Sequence, residues 1–143
     1  SFEGKRCLDL FAGSGVLGIE ALSRGAEYVF FIDRDKSAAS LIRRNLEEMK
    51  LSSKSEVHNT DYRMALKALS KRKEMFDAVF LDPPYRLTKA FDVINHLLDS
   101  KILASNGIGI LLSSSKDNIS FENVNIVKDK LFSTTRITIF KGV

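Results

Sequence analysis

Apolar positions along this chain switch repeatedly between two rhythms. Short runs such as Cys7-Leu8-Asp9-Leu10 and Tyr28-Val-Phe-Phe-Ile32 read as strands covered on both faces, whereas the stretches between them place apolar residues every three to four positions. The runs predict strands over 6–10, 28–32, 56–59, 76–81 and 108–112. The helical spacing predicts helices over 16–23, 36–49, 62–70 and 90–98. In the second of these helices Ala38, Leu41, Ile42, Leu46 and Met49 are expected to face inward, and in the third Met64, Ala65, Ala68 and Leu69. Ala90, Phe91, Ile94, Leu97 and Leu98 form the stripe of the fourth. Such alternation is the pattern of a parallel sheet wrapped by helices.

After Ser113 the rhythm changes. Residues 118–125 are polar and irregular, then 125–131 and 134–140 are rich in Val, Ile, Thr and Phe and lie too close together for a helix between them. They are expected to form an antiparallel hairpin at the end of the sheet. The fold class is thus α/β and Rossmann-like: seven strands, mostly parallel, with a C-terminal antiparallel hairpin and helices on both faces.

The chain has 143 residues, which suits a single domain over 1–143. With 44% hydrophobic and 28% charged residues it falls in the globular range, excluding a disordered tail or a fibrous repeat. A net charge of +4 admits a polyanionic partner without demonstrating one. The single cysteine, Cys7, stands in an apolar run and reads as a buried thiol. No apolar stretch approaches the roughly 18–20 residues of a membrane span, so a cytoplasmic protein without a membrane partner is expected. His58 and His96 have no second ligand at metal spacing, so no metal is expected. Arg43-Arg44 and Lys71-Arg72-Lys73 read as solvated helix faces, and Lys128, Lys130, Arg136 and Lys141 as solvated strand edges.

Two motifs carry candidate chemistry. In Asp9-Leu-Phe-Ala-Gly13-Ser-Gly15-Val-Leu-Gly18 the glycines fall at G-x-G-x-x-G spacing between a predicted strand and a predicted helix. Such a turn lets the backbone approach a ligand closely and exposes helix N–H groups toward it. Asp33 ends the next strand, where a carboxylate can accept from ribose hydroxyls. Together they indicate an adenosine-type cofactor. A P-loop would need Lys-Ser or Lys-Thr after the last glycine, and this chain has Ile19-Glu20, which excludes a nucleoside triphosphatase of that class. A nicotinamide dinucleotide stays open on spacing alone.

The second motif, Asp82-Pro83-Pro84-Tyr85, follows the fourth strand directly and so lies at the same sheet edge as the glycine turn. Two prolines remove N–H donors and stiffen the loop, leaving carbonyl acceptors flanked by a carboxylate and an aromatic ring. An acceptor-rich loop suits a donor-rich group, and an exocyclic base amine is one. The plainer reading is a strand-ending turn, in which Asp-Pro is common.

The two motifs together resemble class I S-adenosylmethionine-dependent amino-methyltransferases with an N/D-P-P-Y/F signature. More narrowly, Leu8-Asp-Leu-Phe-Ala-Gly-Ser-Gly-Val-Leu-Gly-Ile-Glu-Ala-Leu-Ser-Arg-Gly-Ala26 and Phe80-Leu-Asp-Pro-Pro-Tyr85 are similar to the bacterial ribosomal RNA guanine-N2 methyltransferases of the small subunit. The resemblance implies a class I methyltransferase fold and S-adenosyl-L-methionine as cofactor. Phe11, Ala12, Gly13, Ser14 and Gly15 would hold its methionine part, with Asp9 supporting the ammonium end. Asp33, with Arg34 beside it, would take the ribose hydroxyls, and Asp61 the adenine amine, with Tyr62 lining that pocket. Asp82, Pro83, Pro84 and Tyr85 would hold the target base. The implied partner is ribosomal RNA or a small-subunit assembly particle, and a monomer is expected. Because Asp-Pro-Pro-Tyr also occurs in DNA and RNA adenine methyltransferases, an adenine-N6 or cytosine-N4 enzyme is the alternative, and a non-catalytic cofactor- or RNA-binding module another. Members of the family usually carry a basic segment ahead of the first motif. With its first strand almost at Ser1, this chain is expected to be a catalytic core without that segment.

Overall fold

The computed structural model describes residues 1–84, 89–117, 119 and 121–142. Strands and helices alternate as β1 (Arg6–Asp9), α1 (Val16–Ser23), β2 (Tyr28–Asp33), α2 (Lys36–Glu48), β3 (Ser55–Asn59), α3 (Tyr62–Lys71), β4 (Phe76–Leu81), α4 (Ala90–Ser100), β5 (Leu103–Ser114), β6 (Asn125–Phe132) and β7 (Thr135–Lys141). One sheet holds all seven strands in the order β3-β2-β1-β4-β5-β7-β6. β1 to β5 pair in parallel, while β7 runs antiparallel to both β5 and β6. This is the expected Rossmann-like arrangement with its terminal hairpin.

Alternation along the strands sends successive side chains to opposite layers. Leu8, Leu10, Phe30, Ile32, Val79 and Leu81 meet α3 and α4 on one face. Cys7, Val29, Phe31, Ala78 and Phe80 meet α1 and α2 on the other. Cys7 is fully buried, and burial pushes its thiol up to about 12, so it serves packing rather than nucleophilic chemistry.

The helix faces depart from the expected stripes. α2 buries Ala39, Ile42 and Leu46, whereas Leu41 and Met49 are exposed. α3 buries Tyr62, Ala65, Leu66 and Leu69, leaving Met64 and Ala68 outward. The N-caps explain both: the Asp35 side chain accepts from the Ser37 N–H, and that of Asp61 from the Arg63 N–H, fixing where each helix begins. From Tyr62, packed on Phe11 with ring centroids 5.1 Å apart, the inward positions are i+3, i+4 and i+7. In α4, Val93 joins Ala90, Ile94 and Leu97 in the core, and Phe91 lies outward.

β5 is longer than its apolar run. Leu103 already pairs with Phe76, and the register then shifts before Ala78 pairs with Ile108, so Asn106-Gly107 marks an irregularity inside the strand rather than its start. At the other end β5 continues to Ser114, beyond the last residue of β4 that pairs with it. β6 is an exposed edge strand bearing Lys128 and Lys130. Among the described residues no helix is long and apolar enough to cross a membrane.

Candidate active site

The parallel strands β1, β2, β3 and β4 end on one edge of the sheet, and their following loops enclose a cavity of about 590 Å³. Phe11, Ala12, Gly13 and Ser14 line it from the β1 loop, and Asp33 and Arg34 from the end of β2. Asp61 and Tyr62 close it from the start of α3, with Asp82, Pro83 and Pro84 from the end of β4. Leu10, Val16 and Leu17, which lie inside the first motif without an assigned role, complete the wall with Asp35 and Thr60. For Asp35 and Thr60 the only sequence signal is adjacency to Arg34 and Asp61. Tyr85 lies outside the described residues.

The glycine turn is held in a defined shape. Gly13 and Gly15 have φ of +56° and +83°, values that side-chain-bearing residues rarely adopt. The Gly15 N–H donates to the Ala12 carbonyl at 2.7 Å and the Ala12 N–H to the Ile32 carbonyl at 2.8 Å. Asp33 anchors the same turn: its Oδ2 accepts from the Gly13 N–H at 2.7 Å and its Oδ1 from the Asp35 N–H at 2.8 Å. The carboxylate therefore both shapes the loop and faces the cavity.

Two predicted site residues, Asp9 and Gly15, stand behind the wall rather than in it. Asp9 is 1% exposed and sits under α1, where its Oδ2 accepts from the Gly18 N–H at 3.3 Å. A Cβ on Gly18 would overlap the Phe31 ring, so only glycine lets this helix settle directly on the sheet and bring its N–H to Asp9. The Asp9 Oδ1 is buried with no hydrogen-bond partner among the described residues. Burial, with smaller contributions from Asp82 and Asp33, pushes the Asp9 carboxyl up to about 7. Partial desolvation likewise raises Asp82, although that residue keeps solvent contact.

The position of Asp9 makes stability pH-dependent. Its folded-state pKa lies above the value of about 3.9 for an unfolded aspartate, so the native chain binds the extra proton between roughly pH 4 and pH 7. The corresponding stability is present below that window and lost as pH rises through it. Asp9→Asn removes the titration, so urea midpoints of the cofactor-free protein should fall from pH 5 to pH 8 in the wild type and much less in the variant. Equal falls in both proteins would contradict this role for Asp9.

A protein-family model described as "Conserved hypothetical protein 95" matches residues 1–141. The chain belongs to this family. It is 41% identical over 127 residues to "Ribosomal RNA small subunit methyltransferase D" of Haemophilus influenzae, a match covering 87% of the chain and 65% of that relative. Two curated relatives that the chain matches are spanned over 58% and 65% of their own length. Among solved structures, a conserved hypothetical protein of Streptococcus pyogenes superposes with a TM-score of 0.88 at 28% identity, covering 99% of the chain and 88% of that protein. The S-adenosylmethionine-dependent methyltransferase of Agrobacterium tumefaciens superposes with a TM-score of 0.74 over 100% of the chain and 57% of its own. At 18% identity, that likeness shows the shared fold.

Proposed function

We propose that this chain transfers a methyl group from S-adenosyl-L-methionine to the exocyclic N2 amine of a guanine in small-subunit ribosomal RNA. The observation that carries this reading is the single cavity in which a glycine turn, Asp33 and Asp61 meet Asp82, Pro83 and Pro84. The family relative named as a small-subunit ribosomal RNA methyltransferase supports the substrate class.

The residues fit the cofactor. Asp33 and Asp82 line the cavity with carboxylates suited to a ligand bearing sulfonium and ammonium groups, and behind the wall the buried Asp9 Oδ1 has no partner among the described residues. The loop Phe11 to Gly15 would hold the methionine part. Asp33 keeps further lone pairs for ribose hydroxyls beside its two backbone contacts, and Asp61, whose described contacts both fall on Oδ1 from Arg63, would accept the adenine amine. Bound there, S-adenosylmethionine supplies a methyl group already activated for displacement.

The work left to the protein is positioning. A guanine amine is a poor nucleophile because its lone pair is delocalised into the ring. Asp82 and the Pro83 carbonyl would accept the two amine hydrogens and so turn the nitrogen lone pair toward the methyl group. The released proton passes to Asp82 or to water. Tyr85 is assigned stacking on the base from the family resemblance, worth about 1–3 kcal/mol by analogy with other aromatic platforms.

Incubation with methyl-labelled cofactor should label small-subunit ribosomal RNA transcribed in vitro, or the particle assembled from it, and leave duplex DNA unlabelled. Label in DNA but not RNA would overturn the substrate class in favour of a DNA amino-methyltransferase.

A further inference from the structure

A second cavity, of about 330 Å³, opens on the far side of Asp82. It is lined by Leu112, Ser113 and Ser114 at the end of β5 and by Thr134 and Thr135 at the start of β7. Strand register builds it. β4 last pairs at Leu81 with Leu111, so Asp82 leaves the sheet while β5 and β7 continue together through Ser113–Arg136 and Ser114–Thr135. The extension forms a polar wall facing the chain as it turns through Asp82. Asp82 is the one described residue that lines both cavities.

Within that wall Ser113 stands out. The residue is 5% exposed, and its Oγ is buried without a hydrogen-bond partner among the described residues. The neighbouring Ser114 hydroxyl, by contrast, accepts from the Lys116 N–H at 3.2 Å. An unsatisfied buried hydroxyl weakens a fold, so Ser113 has no evident structural reason to be polar.

Resting on the reading of the first cavity as the cofactor site, we propose that the second cavity receives the acceptor base, with Ser113 as a positioning residue that hydrogen-bonds its amine-bearing edge. The ligand class is a nucleobase with an exocyclic amine. In such bases a ring-nitrogen acceptor adjoins the amine, and in guanine an N–H donor flanks it on the other side. Asp82 supplies only acceptors when ionised, whereas a hydroxyl both donates and accepts. Ser113 therefore provides the donor that Asp82 lacks, and the pair reads the amine together with its neighbouring ring atom. Placing cofactor and acceptor on opposite sides of Asp82 brings the amine to the partition between the two cavities, where transfer must occur.

The test compares wild type, Ser113→Ala and Ser113→Thr in methyl transfer to small-subunit ribosomal RNA, alongside S-adenosylhomocysteine affinity and thermal unfolding. In Ser113→Ala, kcat/KM for RNA should fall roughly tenfold, the change expected from losing one buried hydrogen bond. Cofactor affinity should be unchanged and Tm equal or higher, because an orphaned hydroxyl has been removed. Ser113→Thr, which keeps the hydroxyl, should recover part of the loss. An unchanged kcat/KM in Ser113→Ala while wild type methylates guanine overturns the positioning role and leaves the functional reading standing. A loss matched by falls in Tm and cofactor affinity overturns it too, by making Ser113 structural. Wild-type transfer to adenine instead overturns the guanine assignment, and the Ser113→Ala ratio on that acceptor then decides the subsite. No transfer to any nucleic acid overturns both.

Discussion

Asp82→Ala should lower the single-turnover rate of methyl transfer by about a hundredfold to a thousandfold, with S-adenosylhomocysteine affinity changed by no more than about twofold. Asp82 is the first residue after β4 and lines both cavities among the described residues, so its carboxylate stands between the proposed donor and acceptor sites. The glycine turn and Asp33 stay in place without it, which is why cofactor binding should survive. Asp82→Asn keeps one acceptor oxygen and should be milder than alanine. A quenched-flow rate for Asp82→Ala within threefold of wild type would remove Asp82 from the chemistry. A parallel collapse of cofactor affinity would make it part of the cofactor site instead.

Asp33→Ala is the second large effect. This carboxylate accepts from the Gly13 and Asp35 N–H groups and faces the cavity, so its loss unties the turn and removes the acceptor assigned to the ribose hydroxyls. Hydrogen bonds to a charged group are worth about 1.5–3 kcal/mol each, so calorimetry should show S-adenosylhomocysteine binding weakened by a hundredfold or more. Asp33→Asn retains an acceptor for Gly13 and should fall between alanine and wild type. Equal affinities for alanine and wild type would place the ribose elsewhere.

The fold and the sheet edge at which the motif residues gather were legible because they depend on strand direction and loop chemistry. Parallel strands end on one edge, so a glycine turn after β1, an acid after β2 and Asp82 after β4 must gather there, as they do. Helix faces were less legible. Met64 and Leu66 are equally apolar, and only the cap at Asp61 and the packing of Tyr62 on Phe11 decide which turns inward. Asn106-Gly107 resembles the turn before a strand because the chemistry that permits a positive φ is the same in a loop and inside an irregular strand. For Asp9 the resemblance implied support of the cofactor's ammonium end, while its contact with the Gly18 N–H beneath α1 follows from strand alternation on the Cys7 face and was not foreseen. Ser113 gave no signal at all. An orphaned hydroxyl is defined by what surrounds it, and its surroundings come from β4, β5 and β7 together.

The most direct measurement is nucleoside mass analysis of small-subunit ribosomal RNA after incubation with the purified protein and isotopically labelled S-adenosylmethionine. The label should appear in N2-methylguanosine, in wild type and not in Asp82→Ala. Label in N6-methyladenosine or N4-methylcytidine, or no label in any nucleoside, would contradict the proposed reaction.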